Sequence, residues 1–292
     1  MGMYIYLNNS FVPKEEAKVS VFDHGLMYGD GIFETLRSYN GTVFRVDSHI
    51  DRLFGSAEMI RLAIHKGKDE LKEIIYQSLK INRLKEAYIR ISITRGEGEI
   101  GLDPDLCKEP TIIVISKPLT PFQEEIYRSG VMIVISAVRR MPPDALDPAI
   151  KSLNFLNNIM ARISAKDKNA FDALMLNAQG YVTETTTANI FIVKKGLIIT
   201  PPLSSGILKG ITRSAIILIS GAIGIDLLEQ DILPSDLYKA DETFLTNTSL
   251  EIMPVAGIDG NLIGDGRPGK ITRRLLGEYR SLVAQETGYN YR

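Results

Sequence analysis

The stretch Ala149-Ile-Lys-Ser-Leu-Asn-Phe-Leu-Asn-Asn158 contains a single charged residue among apolar and amide side chains. A lysine that is shielded from water has a lowered pKa, because desolvation disfavours its charged form, and its neutral amine can form a Schiff base with a carbonyl compound. Most lysines are instead solvated surface residues. Lys151 is therefore a candidate nucleophile, and the rest of the chain has to support or weaken that role.

The composition is that of an ordinary soluble globular protein, with 45% hydrophobic and 24% charged residues. A length of 292 residues exceeds one typical domain and favours two. The 34 basic and 35 acidic residues leave a net charge of −1, and no long basic block is present. The sequence thus favours neither nucleic acid nor a membrane surface as a partner, and a small-molecule substrate is expected.

Targeting and redox features point to a cytoplasmic protein. Cys107 is the only cysteine, which excludes an internal disulfide and fits a reducing compartment. The first residues lack the basic region and apolar core of a signal peptide. The longest apolar stretch, residues 215–225, is much shorter than the roughly 20 residues required to cross a bilayer.

The first part of the chain reads as a small α/β domain. Residues 87–95 alternate apolar and polar side chains, which predicts a strand with one core face and one polar face. An Asn40-Gly41 turn predicts a second hairpin. The remaining predicted elements are a hairpin at 4–13, helices at 48–62 (capped by Asp47 or Ser48) and 68–82, and a strand at 111–116.

Residues 117–122 are interrupted by prolines and form the best linker candidate. We therefore predict a small N-terminal domain of residues 1–120 and a larger C-terminal domain of residues 121–292. The second domain mixes both types of element. Its predicted strands are 131–138, 173–177, 190–193 and 243–246, and its predicted helices are 153–167 and 212–220.

Two other kinds of site find little support. Residues 96–101 match the glycine pattern of dinucleotide-binding folds, but the sequence after them cannot begin a helix, so a plain loop is favoured. The histidines, His24, His49 and His65, are scattered without metal-ligand spacing, and one cysteine supplies no zinc cluster. No metal is expected.

Anion-binding features do occur. Gly210, Ile211 and Thr212 precede an apolar helical stretch, where free backbone N–H groups and the helix dipole attract an anion. Arg52 could clamp a phosphate with its planar fork of donors. A polar cluster at 245–251 offers hydroxyls and amides. Each feature alone is equally compatible with an ordinary loop, helix cap, turn or surface charge.

Taken in order, these motifs resemble the class IV pyridoxal phosphate aminotransferases, which include branched-chain and D-amino acid aminotransferases and aminodeoxychorismate lyases. The resemblance runs nearly end to end. It implies a fold-type IV enzyme of α/β (α+β) class, with a small N-terminal α/β domain and a larger, β-barrel-like C-terminal domain that binds pyridoxal 5'-phosphate. Its carriers are Tyr28-Gly-Asp-Gly-Ile-Phe-Glu34, His49-Ile-Asp-Arg-Leu53, Lys151-Ser-Leu-Asn154, Thr183-Glu184, Ala188-Asn-Ile-Phe191, Gly210-Ile-Thr-Arg213 and Thr246-Asn-Thr-Ser249 with Glu251 and Pro254.

By position, the resemblance implies that Lys151 bonds to the cofactor aldehyde and shuttles protons. Glu184 would face the pyridine nitrogen and keep it protonated, which lets the ring accept electrons. Leu208 would pack against the ring. The phosphate-binding residues implied in this way are Arg52, Gly210, Ile211, Thr212 and Thr248.

The closest resemblance is to the branched-chain enzymes, and it implies transfer of an amino group from L-leucine, L-isoleucine or L-valine to a 2-oxo acid such as 2-oxoglutarate. The implied substrate-pocket residues are Tyr28, Phe33, Arg37, Tyr88, Arg90, Thr187, Ser249 and Leu250. D-amino acid enzymes typically carry an arginine and a histidine near the positions of Gly101 and Asp103. Their absence here weakens a D-specific assignment.

Several departures from the branched-chain pattern keep other substrates open. Thr35 stands where glycine is usual, and Phe155 replaces a tyrosine that would contact the cofactor's phenolic oxygen. Residues 185–187 replace a glycine-rich stretch, and Ser249-Leu250 replaces an Ala-Ala pair. The alternatives are a D-amino acid transaminase and an aminodeoxychorismate lyase that releases pyruvate and 4-aminobenzoate. The resemblance also implies a homodimer with shared active sites, to which residues 96–106 would contribute.

Overall fold

A computed structural model describes residues 2–291, which form two compact units. The first unit contains the chain up to Thr120, the short segment Ile150–Asn154, and the C-terminal segment from Val283. The second unit contains Pro121–Ala149 and Phe155–Leu282. The units therefore differ from a single division of the sequence at residue 120, because two later segments return to the first unit.

The first unit is built on a six-stranded antiparallel sheet with strand order β2-β1-β6-β5-β3-β4. Its strands are β1 (Tyr4–Leu7), β2 (Ser10–Pro13), β3 (Gly31–Tyr39), β4 (Thr42–Val43), β5 (Ala87–Thr94) and β6 (Thr111–Pro118). Its helices are α1 (His24–Tyr28), α2 (Val46–Met59) and α3 (Lys68–Ile81), with 3₁₀ turns at Lys14–Glu16 and Pro104–Leu106.

Alternation along β5 determines which face of this sheet is covered. Ile89, Ile91 and Ile93 are fully buried in a core that includes apolar side chains of α2 and α3. Burial of one such side chain contributes roughly 1.5–3 kcal/mol. Tyr88 and Arg90 point to the opposite face, as the period of two requires. The predicted two-faced strand is confirmed.

Two local predictions have different outcomes. The Asn40-Gly41 turn is confirmed, and both residues have positive φ, at 51° and 82°, as a tight hairpin turn of this type requires. The proposed cap of the next helix is wrong. Helix α2 begins at Val46, and its N-cap is Arg45 in the left-handed conformation, without a side-chain cap bond. Asp47 and Ser48 lie inside the first turn instead.

The segment Ile150–Asn154 pairs with one edge of β3. Ser152 forms an antiparallel bridge with Ile32, the backbone N–H of Phe33 donates to the carbonyl of Lys151 at 2.9 Å, and that of Leu153 donates to Gly31 at 2.9 Å. Lys151 consequently belongs to the first unit, although its position in the sequence assigned it to the C-terminal domain.

The second unit contains a nine-stranded mixed sheet and five helices. Its strands are β7 (Val131–Ile135), β8 (Asp172–Leu176), β9 (Val182–Thr185), β10 (Asn189–Lys194), β11 (Leu197–Thr200), β12 (Leu227–Glu229), β13 (Glu242–Asn247), β14 (Glu251–Ile258) and β15 (Asn261–Leu262). The helices are α4 (Glu124–Ser129), α5 (Leu156–Asp167), α6 (Ile211–Ala222), α7 (Pro234–Leu237) and α8 (Lys270–Thr287), of which α8 ends beyond Leu282; a 3₁₀ turn spans Leu203–Ser205.

Six strands of this sheet close into a ring in the order β10-β13-β14-β7-β8-β9, and a pairing of Asn189 with Glu184 joins β9 back to β10. Strand β7 runs parallel to both of its neighbours, and the other ring pairings are antiparallel. The barrel-like character predicted for the second domain is therefore present. Among residues 2–291, no helix has both the length and the apolar character needed to span a membrane.

Two strands of the second unit, β9 and β14, are not predicted from the sequence. All eight residues of β14 are buried, so the strand has no apolar–polar alternation, and it contains Pro254 and Gly257, which suggest a loop. The four residues of β9 are likewise all buried. The predicted strands 131–138 and 173–177 correspond to β7 and β8, with shifted ends.

Candidate active site

Lys151 is held through its backbone, and its side chain is half-buried. Its N–H donates to the Ser56 hydroxyl on α2 at 3.2 Å, in addition to the pairing of its carbonyl with β3. The ammonium nitrogen lies 4.4 Å from the centroid of the Phe33 ring. The amine is therefore positioned over an aromatic face that removes part of its contact with water.

A buried ion pair lies between β3 and α2. Glu34 is fully buried and accepts hydrogen bonds from Arg52 Nε at 2.6 Å and Nη2 at 2.9 Å, so the pair is bidentate. His49, one turn before Arg52 on the same helix, lies 2.8 Å from Glu34 through Nδ1. Since His49 is itself buried, the three side chains form one enclosed network.

Burial and charge act in opposite directions on this network. Burial of Glu34 would raise its pKa, but the charge of Arg52 and the hydrogen bonds from Arg52 and His49 outweigh burial and hold the pKa well below its usual range. Burial lowers the pKa of His49 despite the neighbouring Glu34, with Lys151 among the nearby positive charges. A neutral His49 beside an ionised carboxylate must carry its proton on Nδ1, because the carboxylate can only accept.

The face of the sheet opposite the helices of the first unit brings together four residues of the predicted substrate pocket. Cross-strand pairing of β3 with β5 sets Arg37 opposite Tyr88. The guanidinium of Arg90 lies 3.9 Å from the centroid of the Phe33 ring, the same ring that Lys151 approaches. Arg37 is buried and stacks on Tyr39 at 4.1 Å. The face therefore combines aromatic surface with guanidinium groups.

Tyr28 has a different neighbourhood from these four. It is the last residue of α1, and its hydroxyl accepts a hydrogen bond from the N–H of Gly101 at 3.2 Å. It thereby ties α1 to the loop that follows β5. The same loop is fixed by a bond between His24 Nε2 and the Glu99 carbonyl at 3.0 Å. The glycines of 96–101 are followed by the 3₁₀ turn Pro104–Leu106 and then by strand β6, and no α-helix begins there, which confirms their assignment to a loop.

In the second unit, Glu184 on β9 is 6% exposed, and three groups donate hydrogen bonds to its carboxylate. Arg140 Nη2 lies 2.8 Å from Oε1. The amide of Asn189 donates to Oε2 at 2.9 Å, and the backbone N–H of Leu208 donates to the same oxygen at 3.2 Å. A carboxylate with these partners is stabilised in its ionised form and fixed in direction.

Arg140 in turn has two further partners. Its Nη1 donates to the side-chain oxygen of Asn158 at 3.0 Å, and its Nε points to the Gly206 carbonyl at 3.4 Å. These contacts orient the guanidinium toward Glu184. Neither Arg140 nor Asn189 was recognised from sequence as part of the site, because nothing in the sequence signals an ion pair between residues 44 positions apart.

The predicted phosphate-binding segment begins helix α6. Gly210 is the N-cap residue and makes no side-chain cap bond, so no side chain of the N-cap satisfies the backbone N–H groups of the first turn. A Cβ atom on Gly210 would approach the side-chain oxygen of Asn189 to 2.0 Å. Glycine at this position thus allows Asn189 to reach both Glu184 and the Leu208 carbonyl.

The turn after β13 contacts the remaining residues of the implied substrate pocket, Thr187, Ser249 and Leu250. The side-chain oxygen of Asn247 accepts hydrogen bonds from the N–H groups of Ser249 at 2.9 Å and Leu250 at 2.7 Å. Its amide donates to the carbonyl of Thr187 at 3.2 Å. Thr187, Ser249 and Leu250 are therefore brought together around Asn247, with Thr248 at the tip of the turn. The backbone N–H groups of Ser249 and Leu250, two of the implied substrate-pocket residues, therefore have an acceptor within the turn.

The donor set fits an aromatic phosphate ester. The uncapped first turn of α6, which includes the buried Thr212, supplies N–H groups suited to a phosphate. The buried hydroxyl of Thr246, at the end of β13, has no hydrogen-bond partner within the part of the chain that the structure describes. In the same unit, Glu184 offers an ionised acceptor for a protonated ring nitrogen. In the first unit, Lys151 offers an amine that can bond to an aldehyde.

A family model described as "Amino-transferase class IV" matches residues 31–258. The chain belongs to the class IV aminotransferases. A putative branched-chain-amino-acid aminotransferase of Methanocaldococcus jannaschii is 45% identical over 280 residues, which cover 96% of each chain. The predicted family is confirmed, and the chain is an aminotransferase.

Solved structures of this family agree with the fold. The branched-chain amino acid aminotransferase of Escherichia coli superposes with a TM-score of 0.94 at 34% identity, covering 98% of this chain and 96% of that one. The T.th. branched-chain amino acid aminotransferase, solved with pyridoxamine 5'-phosphate, has a TM-score of 0.94 at 32% identity, covering 98% and 95%. The predicted fold-type IV class is therefore confirmed.

Proposed function

We propose that this aminotransferase moves the amino group of an L-branched-chain amino acid to a 2-oxo acid such as 2-oxoglutarate, using pyridoxal 5'-phosphate. The observation that carries the proposal is the fixed placement of two reactive side chains, each within its own unit. Lys151 is held at the edge of β3 with its amine over the Phe33 ring, and Glu184 is clamped by Arg140. The names of the similar proteins support the same substrate class.

Pyridoxal 5'-phosphate, when bound, supplies an electron-accepting ring that stabilises negative charge at the substrate α-carbon. Lys151 provides the amine that holds the cofactor aldehyde, and the same nitrogen moves the proton at the α-carbon as general base and acid. Glu184 keeps the ring nitrogen protonated, and Arg140 and Asn189 fix the carboxylate for that task. Ile211, Thr212 and Thr248 of the second unit and Arg52 of the first are the residues that would hold the phosphate.

The substrate side chain is assigned to the face of the first unit's sheet that lies opposite α2 and α3. Phe33 and Tyr88 offer aromatic surface suited to leucine, isoleucine or valine, while Arg37 and Arg90 offer donors to a carboxylate. A site that accepts both an apolar amino acid and a dicarboxylic acceptor needs both kinds of group. Thr187, Ser249 and Leu250 are assigned to the wall of the substrate pocket, with Asn247 fixing the backbone that carries them.

We assign a homodimer as the functional state. Ile100 is 73% exposed and Leu102 is 82% exposed, although both lie on a loop that is itself fixed by hydrogen bonds to α1. Apolar side chains held rigidly in water are typical of a surface that a partner covers. Light scattering of the purified chain should give the mass of a dimer. A monomer that retained full activity would contradict the assignment of this loop to a shared site.

The activity test is direct. Purified protein incubated with pyridoxal 5'-phosphate, L-leucine and 2-oxoglutarate should produce glutamate, and Lys151→Ala should abolish that product. Lys80→Ala, which removes an exposed lysine from α3, is the matched control and should retain activity. Parallel incubations use D-alanine in place of L-leucine, and aminodeoxychorismate alone. Glutamate from D-alanine only, or pyruvate from aminodeoxychorismate only, would overturn the branched-chain proposal.

A further inference from the structure

We propose that Glu34 is a positioning residue that aims the guanidinium of Arg52 at the phosphate of the cofactor, with His49 locking Glu34 in place. This inference rests on the proposed role of Arg52 in binding that phosphate. Neither Glu34 nor His49 is expected to touch the cofactor, because both are buried between β3 and α2.

The bidentate contact fixes the plane of the guanidinium. Glu34 engages Arg52 through Nε and Nη2, which uses two of the five N–H donors and one edge of the group. The edge formed by Nη1 and Nη2 is therefore set in direction by Glu34. An arginine side chain that is free to rotate loses rotamer entropy when a ligand orders it. A pre-oriented guanidinium has already met that cost before the phosphate binds.

Glu34 is itself held from several sides. Its Oε2 atom accepts hydrogen bonds from His49 Nδ1 at 2.8 Å and from the backbone N–H of Thr35 at 3.2 Å, in addition to the bond from Arg52. His49 and Arg52 lie three residues apart on α2 and therefore on one face of the helix. The carboxylate thus joins the strand to the helix at the point where the arginine leaves it.

Charge and orientation predict opposite results when Glu34 is neutralised. If Glu34 acted only as a counter-charge, its removal would leave Arg52 with a full positive charge and strengthen phosphate binding. If Glu34 acts by positioning, its removal frees the guanidinium and weakens phosphate binding. The sign of the change in affinity therefore separates the two roles.

The experiment compares two ligands that differ only in the phosphate. The full chain, freed of cofactor, is titrated with pyridoxal 5'-phosphate and with pyridoxal, and binding is followed by the absorbance change at Lys151. Glu34→Gln should raise the dissociation constant of pyridoxal 5'-phosphate about tenfold or more, the scale of one lost charge-assisted hydrogen bond. The dissociation constant of pyridoxal should change by less than about twofold, because Arg52 is assigned to the phosphate, which pyridoxal lacks.

Equal weakening of both ligands would show that Glu34 only maintains the fold, and stronger or unchanged binding of the phosphate ester would show that it does not position Arg52. Either result overturns the proposal. Glu34→Asp keeps the charge but shortens the reach, so it should also weaken binding of the phosphate ester alone, and it serves if Glu34→Gln does not fold. His65→Asn, which breaks an exposed histidine–glutamate pair, is the matched control.

Arg52→Ala separates failure of the inference from failure of the assigned phosphate site. It should raise the ratio of the two dissociation constants at least as much as Glu34→Gln does. If Arg52→Ala leaves that ratio unchanged, Arg52 does not bind the phosphate, and the inference about Glu34 falls with it. The proposed transamination would still stand or fall separately on glutamate production from L-leucine.

Discussion

Glu34 and Glu184 are both buried carboxylates that pair with an arginine, and the two pairs differ in the groups that surround them. In the first unit, Glu34 is completely enclosed, while its partner Arg52 keeps 13% of its side chain exposed. In the second unit, Glu184 accepts bonds from Arg140, Asn189 and the Leu208 amide, and Arg140 is anchored by Asn158. In the function proposed above, the member assigned to the cofactor is Arg52 in the first pair and Glu184 in the second.

A buried ion pair does not by itself indicate which of its members acts. Removal of one partner from such a pair typically costs 3–5 kcal/mol, because an unpaired charge is left in a low-dielectric environment. That cost applies to either pair and says nothing about catalysis. The roles assigned to Arg52 and Glu184 therefore need substitutions that separate loss of function from loss of stability.

The largest expected effect concerns the second pair. Glu184→Gln keeps the shape of the side chain but removes the charge that maintains a protonated ring nitrogen. We expect kcat to fall by roughly 10³-fold, on the scale of losing one charged catalytic group, with a much smaller loss of cofactor affinity. Steady-state rates and a cofactor titration measure both. Glu70→Gln, in a surface pair with Lys66, is the control. Equal losses of rate and affinity would contradict the assigned role.

A smaller effect is expected at the anchor of that pair. Arg140→Lys keeps a positive charge but cannot reach Glu184, Asn158 and the Gly206 carbonyl at once, because lysine lacks the planar fork. We expect kcat to fall by roughly 10–100-fold, the range found when supporting partners of a reactive group are changed. Arg139→Lys changes the neighbouring exposed arginine and should leave kcat unaltered. A loss at Arg140 as large as that of Glu184→Gln would mean that the arginine acts directly.

The smallest expected effect concerns the first pair and the pH dependence of the free energy of unfolding. The unfolded chain protonates His49 near its usual pKa of 6.5, whereas burial lowers the pKa in the folded state, so stability falls as pH drops below about 6.5. Glu34, whose pKa is also lowered in the folded state, adds a second loss below about 4.5, its usual value.

His49→Gln should therefore flatten the upper of these two windows, by no more than about 1.4 kcal/mol per pH unit, and leave the lower one. Urea unfolding at a series of pH values measures the slope. His65→Gln supplies the baseline for removing an exposed histidine. An unchanged slope between pH 6.5 and 5 in His49→Gln would show that His49 does not contribute to the acid sensitivity of the fold.

Local patterns predicted the first unit better than the second. The alternation in 87–95 and the Asn40-Gly41 turn depend on neighbours in sequence, and both predictions are confirmed. Strands β9 and β14 are buried along their whole length, so their burial depends on strands far away in sequence, and no periodic signal marks them. The cap of α2 was misplaced because Arg45 adopts a left-handed conformation that sequence does not favour.

The candidate site likewise contains residues that the sequence reveals and residues that only the fold reveals. Lys151, Glu184 and the residues at the start of α6 are recognisable because their motifs are short and contiguous. Glu34 and His49 lay within two of those motifs, but their pairing with Arg52 was not predicted, since it requires β3 to pack on α2. Arg140 lay outside every motif. The assignment of these residues to cofactor and substrate remains a prediction for the experiments above.

Ordered motifs of a few residues each were enough to establish the family, the fold class and the candidate reactive lysine and glutamate from the amino-acid sequence. The folded chain was needed to show that Lys151 joins the edge of β3 in the first unit, and which group anchors each buried carboxylate. The physical reason is that hydrogen bonds and ion pairs form between atoms within about 3 Å of each other, and the folded backbone sets those distances for residues remote in sequence.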